Sequence, residues 1–296
     1  MTLQTLETLF ESHPAMGWLA FAALFNLAIT AIDVVYDLVT RANRDWKDTA
    51  SNIAIDIGKR VLSRTFVGLV GLLALYGVGS WLWWEIPMHP WTWVLSLIVA
   101  DLTYYWMHRF EHENRFLWAY HAVHHSSESY NLTTAGRLAW VEDLIEWVFL
   151  IPMILMGFNV FQAVVSLAFV AAYQHWIHTE RVGRLGFLEG WVNTPSVHRV
   201  HHGSNRKYWD KNYGGILMLW DRLFGTYQVE EEPVIYGISE RVESRNPFVI
   251  NFIEYGRIWS DVRRAPSIGE AIRAAFGRTG TALKTRERGL ASDGRS

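Results

Sequence analysis

Residues 91–125 read WTWVLSLIVADLTYYWMHRFEHENRFLWAYHAVHH. An apolar run from Trp91 to Met107 passes directly into five histidines: His108, His112, His121, His124 and His125. The run is of the length a helix needs to cross a hydrocarbon core of ~30 Å at ~1.5 Å per residue. The histidines that follow keep helical spacing, four apart in His108-Arg-Phe-Glu-His112 and at i, i+3, i+4 in His121-Ala-Val-His124-His125. On a helix such residues share one face with Cβ atoms ~5–6 Å apart, so two imidazoles can chelate one ion. The stretch therefore predicts a membrane helix that delivers metal ligands to the bilayer surface.

The pattern returns downstream, as Gln174-His175-Trp-Ile-His178 and as His198-Arg-Val-His201-His202. Ten of the chain's twelve histidines fall between His108 and His202. Nine of them (His108, His112, His121, His124, His125, His178, His198, His201 and His202) are patterned as metal ligands. Nine imidazoles exceed what one ion can use while keeping an open position. Two ions with four or five nitrogens each would use them all. Imidazole suits iron, copper, zinc and nickel alike, so the ligand set alone leaves the metal open. His13 and His89 stand outside the motifs, and such isolated histidines are more often structural. His175 reads the same way but sits close enough to remain a candidate. Haem held by histidine pairs fits the adjacent doublets poorly. A zinc-protease motif begun by His112-Glu113 fails because Phe116 stands where its second histidine would be. Candidates to stand behind the ligands, or to join them, are Asp101, two turns before His108, together with Asn131 and Gln174; Glu128, Glu180 and Asp210 flank the motifs.

Outward from the core stretch, three more segments read as embedded: about Ala15–Leu38, about Phe66–Trp84, and about Leu144–Tyr173, broken near Gly157 and Asn159. The last fits a helical hairpin dipping into the bilayer. The expected fold is all-α: an integral membrane bundle of about three full spans plus the hairpin, with a cytoplasmic helical cap holding a His-rich dimetal site. Arg41, Arg44, Lys47, Lys59, Arg60 and Arg64 follow the first span, which places that loop in the cytoplasm by the positive-inside rule. Counting spans then brings every clustered histidine to the same face. The expected organisation is membrane helices over 1–94, the catalytic domain over 95–228, a cytoplasmic segment over 229–281 with an amphipathic helix near Ile268–Phe276, and a disordered tail over 282–296.

Composition narrows the chemistry. Half of the 296 residues are apolar, with sixteen Trp and twelve Tyr, a load that suits an interfacial aromatic belt. A net charge of −2 and the lack of a basic stripe exclude a nucleic-acid partner. Cysteine is absent, so disulfides, thiolate-held clusters and thiolate haem are excluded and any metal takes N and O ligands. The acidic start lacks the basic region of a cleavable signal. Lipid-facing, all-nitrogen dimetal sites point to oxidation more than hydrolysis. The alternatives are a non-catalytic metal-binding membrane protein, disfavoured because the histidines sit at span ends rather than within spans, and a zinc-dependent membrane hydrolase.

At HRFEH, HAVHH, QHWIH and HRVHH the sequence resembles the fatty acid hydroxylase / sterol desaturase superfamily, over roughly 95–228. Within it, LWAYHAVHHSSESYNLTTAGR, QHWIHTE and NTPSVHRVHHGSNRKYWDKNYGG look most like the alkylglycerol monooxygenase branch and its bacterial members. The resemblance implies a di-iron centre, with zinc a substitute occupant, that uses O₂ to hydroxylate or desaturate a lipid C–H position. It implies the nine patterned histidines as ligands, Gln174 in a place where other members carry His, and a functional carboxylate at Glu113. It gives His175 no ligand role. A fused haem domain carried by some members is not seen, so electrons are expected from a separate donor. Tetrahydrobiopterin is the donor the branch implies.

Overall fold

The first described helix, α1 (Pro14–Thr40), starts where the His13 side chain accepts the Ala15 N–H and Pro14 presets the first turn. It ends at Arg41, which turns the chain at φ 54°. The computed structural model describes residues 13–62 and 68–279. Among these the chain is helical, and its only β pairing is three isolated bridges. The elements are α1, α2 (Trp46–Leu62), α3 (Gly68–Gly79), α4 (Pro90–Glu113), α5 (Arg115–His125), α6 (Asp143–Glu146), α7 (Ile151–Leu155), α8 (Val160–His175), α9 (Pro195–His201), α10 (Leu219–Phe224), α11 (Pro247–Arg264) and α12 (Ile268–Phe276).

Among the described residues, α1 is the one helix both long and apolar enough to cross a membrane. Trp18, Phe21, Leu24 and Leu27 on it are exposed. Where the sequence predicts a span over Phe66–Trp84, the described helix is α3, only twelve residues. It stops at Gly79, after which Trp81 and Trp83 stand out in the open. α4 is long enough at 24 residues, but it carries Asp101, Arg109, Glu111 and Glu113. The hairpin break falls as expected: Gly157 takes φ 97°, and the Asn159 side chain accepts the Phe161 N–H to start α8. The limb before it is not one helix but α6, a 3₁₀ turn and α7, with Pro152 at the start of α7. The expected disordered tail lies outside the described residues, as does Arg64.

Two cores hold the helices. One joins Leu75 of α3, Ala100 of α4, Met153 and Ile154 of α7, and Val160, Ala163 and Val170 of α8. The other joins Ile55 of α2, Tyr120, Ala122 and Val123 of α5, and Ile238, Val242 and Ile250 of the C-terminal segment. The amphipathic helix expected near Ile268–Phe276 is α12, capped by the Ser267 hydroxyl on the Glu270 N–H. The eighteen-residue α11 was not anticipated, although Asn246-Pro247 is a start signal: the Asn246 side chain accepts the Phe248 N–H with Pro in the first turn. Two of the loop cations are also buried rather than exposed. Arg44 pairs with Asp33 and Asp37 of α1 at 2.8 and 2.7 Å, and Lys59 with Glu142 and Asp143 at 2.5 and 2.7 Å.

Candidate metal centre

Four chain segments carry the histidines inward. α4 ends at Asn114, whose own side chain caps α5 by accepting the N–H groups of Phe116 and Leu117 at 3.0 and 3.2 Å. One residue thus stops one helix and starts the next, folding α5 back beside α4. His108 and His112 sit at the end of α4, and His121, His124 and His125 on α5. His178 follows α8 on a turn. Thr194 caps α9, which Pro195 begins, and α9 presents His198 and His201 with His202 at its C-cap.

The nine histidines fall into two groups, His108, His112, His121, His125 and His201, and His124, His178, His198 and His202. Within each group the facing nitrogens all lie within 4.8 Å of one another, and every member is buried. Helical spacing explains the partition. Residues four apart (108/112, 121/125, 198/202) share a group because they share a face. Adjacent residues on a helix point about 100° apart, so each doublet, His124-His125 and His201-His202, gives one ring to each group.

The rings are oriented from behind. His108 Nδ1 donates to the Tyr213 carbonyl at 3.0 Å, His201 Nδ1 to the Lys211 carbonyl at 3.0 Å and His178 Nδ1 to the Gln174 carbonyl at 2.7 Å. With Nδ1 protonated, Nε2 of each neutral ring is a bare lone pair. They face ring nitrogens of their neighbours: Nε2 of His121 is 3.1 Å from Nε2 of both His108 and His125, His201 is 3.1 Å from His125, and His178 is 3.1 and 3.0 Å from His124 and His198. Two nitrogens each ~2.1 Å from one ion and about 90–95° apart would be separated by ~3.0–3.1 Å. Nε2 of His112 and of His202 are buried with no hydrogen-bond partner. Burial holds His178 and His201 down to about 3, and pushes His112, His124, His125, His198 and His202 well below the usual imidazole range. Proton-free nitrogens converging on two points, some otherwise orphaned, are what metal cations satisfy.

A cleft reaches this cluster from outside, through His112, His125, His201 and His202, with walls at Trp118, Trp209, Ile238 and Thr279. Glu113 stands near the mouth, not among the nitrogens: it pairs with Arg109 at 2.9 Å and Arg278 at 3.3 Å, and its backbone carbonyl accepts the Thr279 N–H. Asp101 is far from the rings. Its carboxylate accepts the N–H groups of Ile216 and Leu217 and the Trp220 indole, at 2.6, 3.0 and 2.9 Å, and so shapes the loop behind His108. Asn131 accepts from Arg44 at 2.5 Å and caps the 3₁₀ turn Leu132–Gly136, away from the cluster. Gln174 serves through its carbonyl on His178. His175 turns outward and meets the Thr30 hydroxyl at 2.7 Å. His89 caps α4. Glu128 pairs with Arg241, Glu180 accepts from Tyr236, and Asp210 lies 3.9 Å from His112 Nδ1.

Glu111 lies inside HRFEH, but nothing in the motif's spacing marks it. Nor could the sequence foresee the carbonyls of Lys211 and Tyr213, since backbone partners leave no mark in side-chain spacing. The loop carrying Tyr213 does have a signal in its glycines. A Cβ on Gly215 would lie 2.3 Å from Val170 and 2.8 Å from Asp101, so only glycine lets this loop close against α4 and α8.

Two buried polyhistidine groups set side by side in a helical protein define a scaffold whose imidazoles could hold metal ions. Residues 93–226 match the fatty acid hydroxylase family model. It is 33% identical to human alkylglycerol monooxygenase over 279 residues, covering 93% of this chain and 62% of that protein. It is 48% identical to the alkylglycerol monooxygenase of Danio rerio over 177 residues, covering 59% of this chain and 39% of that protein. An ornithine lipid hydroxylase of Rhizobium tropici is 26% identical over 241 residues, 76% of this chain and 71% of that protein. The chain spans about two fifths to three fifths of the length of these alkylglycerol monooxygenases. No solved structure matches it.

Proposed function

We propose that the protein is a membrane-bound non-haem di-iron oxygenase that hydroxylates or desaturates a lipid C–H position with O₂, with an ether lipid such as an alkylglycerol the favoured substrate. The observation carrying this reading is the division of nine buried histidines into facing groups of five and four. Support comes from the oxygenase relatives, which act on lipids by name. His108, His112, His121, His125 and His201 would hold one iron, and His124, His178, His198 and His202 the other. When bound, the irons supply the activation of O₂ that imidazole and carboxylate side chains cannot perform themselves.

The chain's own part is positional. The carbonyls of Tyr213, Lys211 and Gln174 keep each ring's lone pair inward, so ligands need no reorganisation on loading. Buried helices around the groups exclude water from the reacting region. The cleft past Trp118 and Trp209 admits a substrate or donor to the five-histidine side. Glu113, clamped by Arg109 and Arg278, would act at its mouth on the polar part of a bound molecule. Electrons would come from a separate donor, tetrahydrobiopterin among the candidates. The chain would sit in the membrane through α1, the apolar stretches around α3 and α4, and the α6–α8 hairpin, with the histidines on the cytoplasmic side.

The test uses full-length protein purified in detergent, loaded with iron and assayed on alkylglycerols, fatty acyl lipids and sterols with and without O₂. Two irons per chain and strictly O₂-dependent products are expected. Product formed equally under anaerobic conditions, or full metal content and full activity in His124→Ala, would sink the reading.

A further inference from the structure

Glu111 is buried to 2% exposure beside the five-histidine group. Both carboxylate oxygens are committed. Oε1 accepts the Tyr120 hydroxyl at 2.8 Å, and Oε2 stands 3.1 Å from Nδ1 of His121. His121 lies within its group, with Nε2 3.1 Å from the Nε2 atoms of His108 and His125. The other rings oriented through Nδ1 use neutral carbonyls, and the nearest other carboxylate, Asp210, is 3.9 Å from His112. The Tyr120 hydroxyl, donating to Oε1, holds the carboxylate in place against His121.

We propose that Glu111, steadied by Tyr120, is a positioning residue that orients His121 and places a negative charge behind the five-histidine group alone, making the two metal sites unequal. One group then offers five rings with a buried carboxylate behind them, the other four rings. A charge behind an imidazole raises its basicity toward the ion in front, and loss of such a partner weakens metal binding about 10–100-fold. The five-histidine site is accordingly the tighter of the two and the better suited to the more highly charged ion. This inference rests on the two-ion reading proposed above.

The experiment titrates metal-free, full-length protein in detergent with Co²⁺ alone, following the visible absorption of nitrogen-bound cobalt, with circular dichroism to confirm the helical fold. Wild type is expected to bind two ions in unequal steps. Glu111→Gln keeps the volume and an acceptor for Tyr120 but removes the charge, and should weaken the tighter step about 10–100-fold while leaving the other in place. Glu111→Ala should do the same or more, and Tyr120→Phe should shift the same step by less. Two unchanged steps in Glu111→Gln would overturn the role, since a merely space-filling residue is rescued by glutamine. Equal weakening of both steps in a folded Glu111→Gln would overturn it as well. Fewer than two ions on wild type would instead overturn the two-ion reading, and the proposal with it.

Discussion

The clustered imidazoles are buried, and His108, His121, His178 and His201 are also held through Nδ1 by an oxygen behind the ring; the burial gives the site its pH behaviour. His178 and His201 are held down to about 3, and six further members, His108, His112, His124, His125, His198 and His202, are pushed well below the usual range by burial. Above ~6.5, the unfolded value, folded and unfolded rings are both neutral and burial sets no proton penalty. Below it the unfolded chain takes up protons that the folded chain refuses. Stability of the metal-free protein should therefore fall as pH drops from ~6.5 toward ~3, by at most ~1.4 kcal/mol per pH unit for each such histidine. Thermal melts of chelator-treated protein between pH 8 and 4 should show a steep, multi-proton loss, and a flat profile over that range would contradict the burial of neutral rings. His202→Ala should lower metal content, whereas His175→Ala, which removes only the Thr30 contact, should leave it at wild-type level by elemental analysis. Motif spacing made the nine rings legible because helical periodicity alone decides which neighbours share a face. Glu111 and the supporting carbonyls were not legible, because their partners come from tertiary folding rather than from i, i+4 arithmetic. Asp101 shows the reverse error: two helical turns from His108 it was a fair candidate, yet its carboxylate is spent on loop N–H groups.

Among the elements, the caps and ion pairs set the approach of the helices. Asn114→Ala removes two capping bonds at the turn where α4 becomes α5, at a cost of about 1 kcal/mol. Because that turn sets the distance between His112 and His121, metal affinity should drop more than the melting temperature suggests, which parallel metal titration and calorimetry would reveal. α1 is tied to the site by charge. Asp33 and Asp37 share Arg44 and Arg181, and Arg181 is three residues beyond His178. Arg44→Ala leaves two buried carboxylates short of a partner and should cost about 3–5 kcal/mol, with the loss read by chemical denaturation in detergent. The sequence pointed to these basic residues as topology markers. It could not say that Arg44 and Lys59 are buried, because their acidic partners lie on α1 and around α6.

At the scale of the molecule, the C-terminal segment is part of the site's enclosure. Ile238 and Thr279 line the cleft, and the Phe276 and Gly277 carbonyls accept from Asn114 and Arg115 at the α4–α5 junction. Ending the chain after Asn246 should therefore expose Tyr120 and Val123 and abolish stable metal binding, measured by elemental analysis of the purified fragment. The helical class and the hairpin break were legible from apolar runs and glycines. The second expected span starts at Phe66, outside the described residues; its described part, α3, ends at Gly79.

The division of each doublet between the two groups also bears on how the chain keeps its shape without cysteine. His108 and His201 are more than ninety residues apart in sequence, yet their rings lie 4.2 Å apart. A bound ion there works as a crosslink, closing a long loop as a disulfide would; in a chain-entropy account such a closure contributes ~4–5 kcal/mol. Since His201 and His202 are neighbours, the two crosslinks share a knot in α9 and reinforce each other. A chelator should thus act as a denaturant for this protein, lowering its melting temperature and opening α9 to protease, and refolding should require metal in the buffer.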